Sequence, residues 1–120
     1  MPKQPNEYPA AVARRLASLK SSLRRATGWA VFEPNGEVLW AEVRRRLETR
    51  LMKAWKSGTF TGMFVGTKAN QTFFVRCDRT TMTQADLDQG RLICLVGVSV
   101  LRPAEFVIFR IGQWTASREG

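Results

Sequence analysis

The chain contains no histidine. That absence removes Ser-His-Asp and Cys-His catalysis and most transition-metal sites, because those chemistries rely on imidazole near neutral pH. Cysteine is scarce: Cys77 and Cys94 are the two present, and both fall in stretches read below as strands. One pair in a chain not expected to be secreted is not a disulfide framework, so both are expected to be buried thiols. Residues 1–9 hold three prolines and no apolar run of the signal-peptide kind, so the chain is expected to stay inside the cell that makes it. Long apolar runs are missing as well. The first β-rich run, Leu92–Leu101, falls well short of the ~20 residues a bilayer requires, and no membrane partner is expected. Acidic residues are few, 10 against 19 lysines and arginines, giving a net charge of +9. Such a balance favours an acidic partner, but charge alone does not choose between nucleic acid, a lipid surface and an acidic protein.

What is present is a globular composition, 44% hydrophobic with four tryptophans in 120 residues, enough for one domain with one core. The chain is organised around Leu92–Trp114. The first run there is apolar at nearly every position and suits a strand covered on both faces. The second alternates, with Phe106, Ile108 and Arg110 on one side and Val107, Phe109 and Ile111 on the other. Upstream, Val12, Leu16, Leu19 and Leu23 recur at helical spacing from Ala10 to Thr27, with Arg14, Arg15, Lys20, Arg24 and Arg25 on the other faces. Trp29–Phe32 is predicted as a short strand. Asn35 is an expected N-cap for a second helix from Glu37 to Ser57. Its apolar stripe is Trp40, Val43, Leu47, Leu51, Ala54 and Trp55, opposite Arg44, Arg45, Arg46, Arg50, Lys53 and Lys56. Residues 59–71 are expected to be a loop, with a weak strand around Met63–Val65. Thr72–Cys77 is a further strand, and Thr83 caps a short helix over Gln84–Gln89 that Gly90 ends. The fold class expected is therefore α+β: a small mixed β-sheet with two main amphipathic helices packed on it. Its expected aromatic core anchors are Trp29, Phe32, Trp40, Trp55, Phe74 and Phe106. The chain divides into an extended N-terminal arm (1–9), the domain (10–113) and a C-terminal tail or arm (114–120).

The motifs point away from catalysis. Gly66-Thr67-Lys68 lacks the upstream glycine spacing of a phosphate loop and suits a hairpin tip. Asp78, Asp86 and Asp88 are the one acidic cluster, but Asp86 and Asp88 flank a capped turn, where carboxylates serve the helix dipole. Asn70-Gln71-Thr72 is a glycosylation sequon with no secretory route. Glu33 and Glu105 have no nucleophile or cofactor loop beside them. We expect no enzyme, no metal and no cofactor.

Several segments, in order, carry a resemblance. They are Arg14-Arg15-Leu16, Trp29–Asn35, Leu39-Trp40, Phe73–Asp78, Gly90-Arg91-Leu92 and Leu101–Phe106. Together they look like the C-terminal domain of contractile phage tail sheath proteins, a family that also occurs in phage-tail-like contractile injection particles. The match runs over roughly residues 12–113. The resemblance implies a non-catalytic structural subunit in the inner layer of a helical sheath. It implies assembly into a helical or ring homo-oligomer in the cytoplasm, as part of a phage tail or phage-tail-like particle, with a tail tube protein as partner. In that family neighbouring subunits exchange extended arms that complete one another's sheets, and a helix of this domain rests on the tube. Arg46, Arg50 and Lys53 are the tube-contact candidates it implies. Gln113, Trp114 and Thr115 are the inter-subunit strand candidates, through β-augmentation. Family subunits are several times longer, with the donated arm and outer domains upstream. Residues 1–9 are therefore expected to substitute for that arm, unless the chain is one domain of a larger subunit. The alternative reading of the charge is a basic α/β nucleic-acid-binding module, for which no zinc finger, helix-turn-helix or aromatic RNA-binding pair is recognisable.

Overall fold

The computed structural model describes residues 8–56, 72–100 and 105–116. The expected loop over 59–71 with its Gly66-Thr67-Lys68 tip, most of the N-terminal arm, and residues 57–58, 101–104 and 117–120 lie outside them. The architecture is α+β. Helices α1 (Ala10–Ala26), α2 (Glu37–Lys56) and the short α3 (Gln84–Asp88) accompany strands β1 (Phe73–Arg76), β2 (Arg91–Ser99) and β3 (Phe106–Trp114). The sheet, expected to be mixed, is antiparallel in the order β1-β2-β3. Hairpin-like neighbours in sequence pair directly here, so no parallel crossover is required.

The pleat sorts the side chains as the alternation in Phe106–Ile111 predicts. Phe73, Val75, Leu92, Cys94, Val96, Val98, Val107, Phe109 and Ile111 share one face and are buried. Against the sheet, α1 lies over β3 and α2 over β1. Leu16 and Leu23 of α1, with Trp40, Val43, Leu47 and Leu51 of α2, complete the core. The opposite face is partly covered. Phe74 meets Phe106 edge-on at 5.0 Å, and the Phe74 ring lies across Gly97, where a β-carbon would fall 2.1 Å from a ring carbon. Glycine leaves room there for the Phe74 ring to lie over the backbone.

Three local expectations change. Trp29–Phe32 is not a strand but part of a 3-10 helix, Gly28–Phe32. Thr27 O accepts from Ala30 N and Ala30 O from Glu33 N, both at 3.0 Å, so local bonds consume the groups a ladder would need. Phe32, expected in the core, is consequently 79% exposed, whereas Ala30 is the buried residue of that turn. Asn35 is not the N-cap of α2. Gly36 O accepts the first helical bond, from Trp40 N, and Asn35 Oδ1 instead accepts from the Trp40 indole at 2.8 Å. Other punctuation is as expected: Thr83 and Asp86 form a reciprocal capping box on α3, and Gly90 has φ 73°.

Candidate functional site

The expected tube-contact residues lie on the side of α2 that borders α1. A groove of about 640 Å³ runs between the two helices, with Leu19, Ala26 and Ala54 among its apolar lining. Arg45, Arg46, Arg50 and Lys53 also line it. They come together because residues three and four apart on a helix share a face. The cations are not equivalent. Arg46 donates to Glu42 Oε2 at 2.7 Å, and its guanidinium lies 4.3 Å from the Trp29 ring centroid. Arg45 grips the same carboxylate with Nη2 at 2.5 Å and Nε at 3.2 Å. These hydrogen bonds, from Arg45 first and Arg46 second, lower the Glu42 pKa to about 2. Arg50 donates to Ser22 Oγ at 3.3 Å. Among the described residues, Lys53 has no protein partner within bonding distance.

Arg44, expected on the basic outer face, is half-buried and donates to the Cys77 carbonyl at 2.7 Å. It braces the end of β1. Its place beside Val43, at the border of the apolar stripe, is the signal sequence reasoning passed over. A second basic cluster escaped it altogether. Lys20 and Arg24 from α1 line a hollow of about 460 Å³ with Arg91, Arg110 and Trp114 from the sheet. A third hollow, about 650 Å³ between the 3-10 turn and the start of α2, is lined by Trp29, Pro34, Val38 and Leu39 together with Glu33 and Glu37.

The strand candidates are committed on one side to their own chain. Gln113 is opposite Leu92 and Trp114 opposite Arg91. Thr115 donates to Gly90 O from N at 2.9 Å and from Oγ1 at 2.6 Å. Ala116 N reaches Glu33 O at 3.0 Å. Residues 114–116 are thus tied into the domain, not held out as a free arm. The backbone edge of β3 away from β2, and that of β1 away from β2, meet no strand among the described residues. Of the remaining aromatic anchors, Trp40 is buried, and Trp29, Trp55, Phe74 and Phe106 are half-buried.

The acidic residues do not converge. Asp78 caps the 3-10 turn Arg79–Thr81 by accepting from Thr80 N at 2.8 Å, a turn the sequence reading missed. The Thr80 hydroxyl and amide hold its pKa below the ordinary value. Asp86 is held low by the Thr83 amide, and Asp88 accepts from Gln84 Nε2 at 2.8 Å. Among the described residues no three potential ligands gather, and no helix is long and apolar enough to cross a membrane.

No family model and no curated protein matches the chain. It is similar to a chain in the cryo-EM structure of the anti-feeding prophage baseplate, 6-fold symmetrised, with a TM-score of 0.66 and 34% identity. The similarity covers 82% of this chain and 26% of that one, so this chain spans about a quarter of the length of the solved protein.

Proposed function

We propose that the chain is a structural, non-enzymatic subunit of a phage-tail-like contractile particle, occupying the position of a sheath C-terminal domain. The observation that carries the reading is the likeness, at 34% identity over 82% of the chain, to a component of a phage-tail-like baseplate. The ordered segments that resemble the sheath family support the narrower assignment. In this reading the α1–α2 groove meets an acidic tube surface. Arg50 and Lys53 are the cations most available to it, because Arg46 is already shared with Glu42 and Trp29. Contacts of this kind are complementary, screened by salt, and able to release when the sheath moves. Neighbouring copies join at the edges of β1 and β3 that meet no strand among the described residues, where backbone groups can template an added strand. A head-to-tail contact of that type propagates into rings or helical polymers.

Electron microscopy of the purified protein at high concentration tests the reading, with rings, tubes or sheets as the expected result. A strictly monomeric species in sedimentation would overturn self-assembly by this chain. Tight binding to mixed-sequence duplex that falls steeply with salt would favour the nucleic-acid alternative instead.

A further inference from the structure

The register of the sheet sets the two cysteines face to face. The paired register of β1 and β2 runs to Arg76 opposite Leu95, and one further step places Cys77 opposite Cys94. Antiparallel ladders alternate between pairs that exchange backbone hydrogen bonds and pairs that do not. Three bonds assign this pair to the second kind. Ser99 N donates to Thr72 O at 2.7 Å, which makes every second pair counted from there, including Cys77 with Cys94, a non-bonded one. Thr115 N donates to Gly90 O at 2.9 Å, so on the other side of β2 the bonded positions include Cys94 with Ile111. A central-strand residue turns both its backbone groups to the same neighbour, and those of Cys94 are directed at β3. Finally, the Cys77 carbonyl points away from β2 and is taken by Arg44 at 2.7 Å.

In non-bonded pairs the α-carbons approach to about 4.5 Å and the side chains are at their closest. Disulfide-linked cysteines have α-carbons about 4.4 to 6.8 Å apart. Both thiols are free and fully buried, on the helix-covered face of the sheet. From this geometry we infer that Cys77 and Cys94 are an oxidisable pair, closed into a cross-strand disulfide by a small two-electron oxidant of the peroxide class.

The step balances without another reagent. Hydrogen peroxide converts one thiol to a sulfenic acid and releases one water. The second sulfur attacks the first, the S–S bond forms, the S–O bond breaks and a second water leaves. Two thiols have lost two electrons and two protons, and the O–O bond has been reduced. The hydrogen bond with Cys77 and burial both raise the Cys94 thiol above its ordinary pKa, so the reaction is slow while the sheet is closed. Opening of β1, a four-residue strand with no strand on its outer side among the described residues, sets its pace. Once made, the bond staples the end of that strand to the centre of the sheet. This inference stands whether or not the chain belongs to a sheath.

The test uses the whole wild-type chain, treated with hydrogen peroxide, then denatured, alkylated and mapped by mass spectrometry. The expected result is loss of both alkylatable thiols and a linked peptide joining Cys77 to Cys94. Dithiothreitol should reverse it, and the oxidised form should melt ~5 °C or more above the reduced one. Cys94→Ala should abolish the linked peptide, and the wild-type map decides the matter even if that variant fails to fold. Thiols that stay alkylatable after prolonged exposure would overturn the pairing. So would cross-links between chains, or sulfinic and sulfonic acids in place of the internal bond.

Discussion

Gln113 in β3 donates from Nε2 to Thr27 Oγ1, at the end of α1, over 3.0 Å and 86 residues of sequence. The same nitrogen reaches Arg24 O at 2.9 Å, while Thr27, fully buried, turns its hydroxyl to Arg24 O at 3.0 Å. The helix terminus is therefore closed by a side chain from the sheet. Gln113→Ala should take one donor from the Thr27 hydroxyl and one from Arg24 O, which keeps its bonds from Thr27, and cost about 0.5–1.5 kcal/mol in chemical denaturation. An unchanged midpoint would show that water replaces the amide at no cost.

Gly97 and Phe74 make a second long-range fit. Adding one methyl in Gly97→Ala drives it into the Phe74 ring, 2.1 Å away, and should destabilise by about 1–3 kcal/mol. Phe74→Leu in the same chain should recover part of that loss, because the two sites share one space. Additive losses in the double variant would place the strain elsewhere.

Much of this fold is legible in the residues, and the rest fails for local reasons. The spacing of Leu16 and Leu23, and of Trp40, Val43, Leu47 and Leu51, marks both long helices because a single apolar stripe has only one way to be buried. The Val107, Phe109 and Ile111 alternation marks β3 in the same way. Trp29–Phe32 misleads because β-propensity is a statement about a pleated neighbour, and the backbone there spends its bonds within the turn. The basic groove is half legible. Helical periodicity brings Arg46, Arg50 and Lys53 together, but nothing in it reveals that Glu42 and Trp29 already occupy Arg46. The hollow of Lys20, Arg24, Arg91 and Arg110 needed the tertiary fold, since its members come from α1 and both long strands.

Phe32 and Val38, 79% and 89% exposed, separate surface from core. Phe32→Ser and Val38→Ser should each change stability by less than ~0.5 kcal/mol. Trp40→Ala, by contrast, empties a site 3% exposed and should cost about 3–5 kcal/mol. A large loss at Phe32 in a monomeric preparation would contradict its place outside the core.

Acid should weaken the domain in a defined interval. The Glu42 pKa is lowered from an ordinary 4.5 to about 2, so its stabilising contribution is complete above 4.5 and is lost as pH falls through about 2. Asp78 and Asp86, both held below 3.8 by cap hydrogen bonds, act in the same sense. Denaturant midpoints should decline across this interval. Glu42→Gln should remove part of the slope, and salt should flatten the part due to its exposed ion pairs. A midpoint that rises on acidification would reverse the sign of all three.

The groove cations should split by what they already hold. Arg50 and Lys53 lie off the apolar stripe, and among the described residues Arg50 to Ser22 is their one side-chain hydrogen bond, so the fold should survive Arg50→Glu and Lys53→Glu. Arg46→Glu is different. It places a second carboxylate beside Glu42 and removes the cation over Trp29, so its melting temperature should drop on its own account. If the groove is the tube-facing surface, Arg50→Glu and Lys53→Glu together should reduce co-sedimentation with an acidic tube at low salt by tenfold or so, a change of ~1.4 kcal/mol. Their melting curves should match wild type. Equal co-sedimentation of variant and wild type would move the contact elsewhere, with the Lys20–Arg24–Arg91–Arg110 hollow as the next surface to reverse.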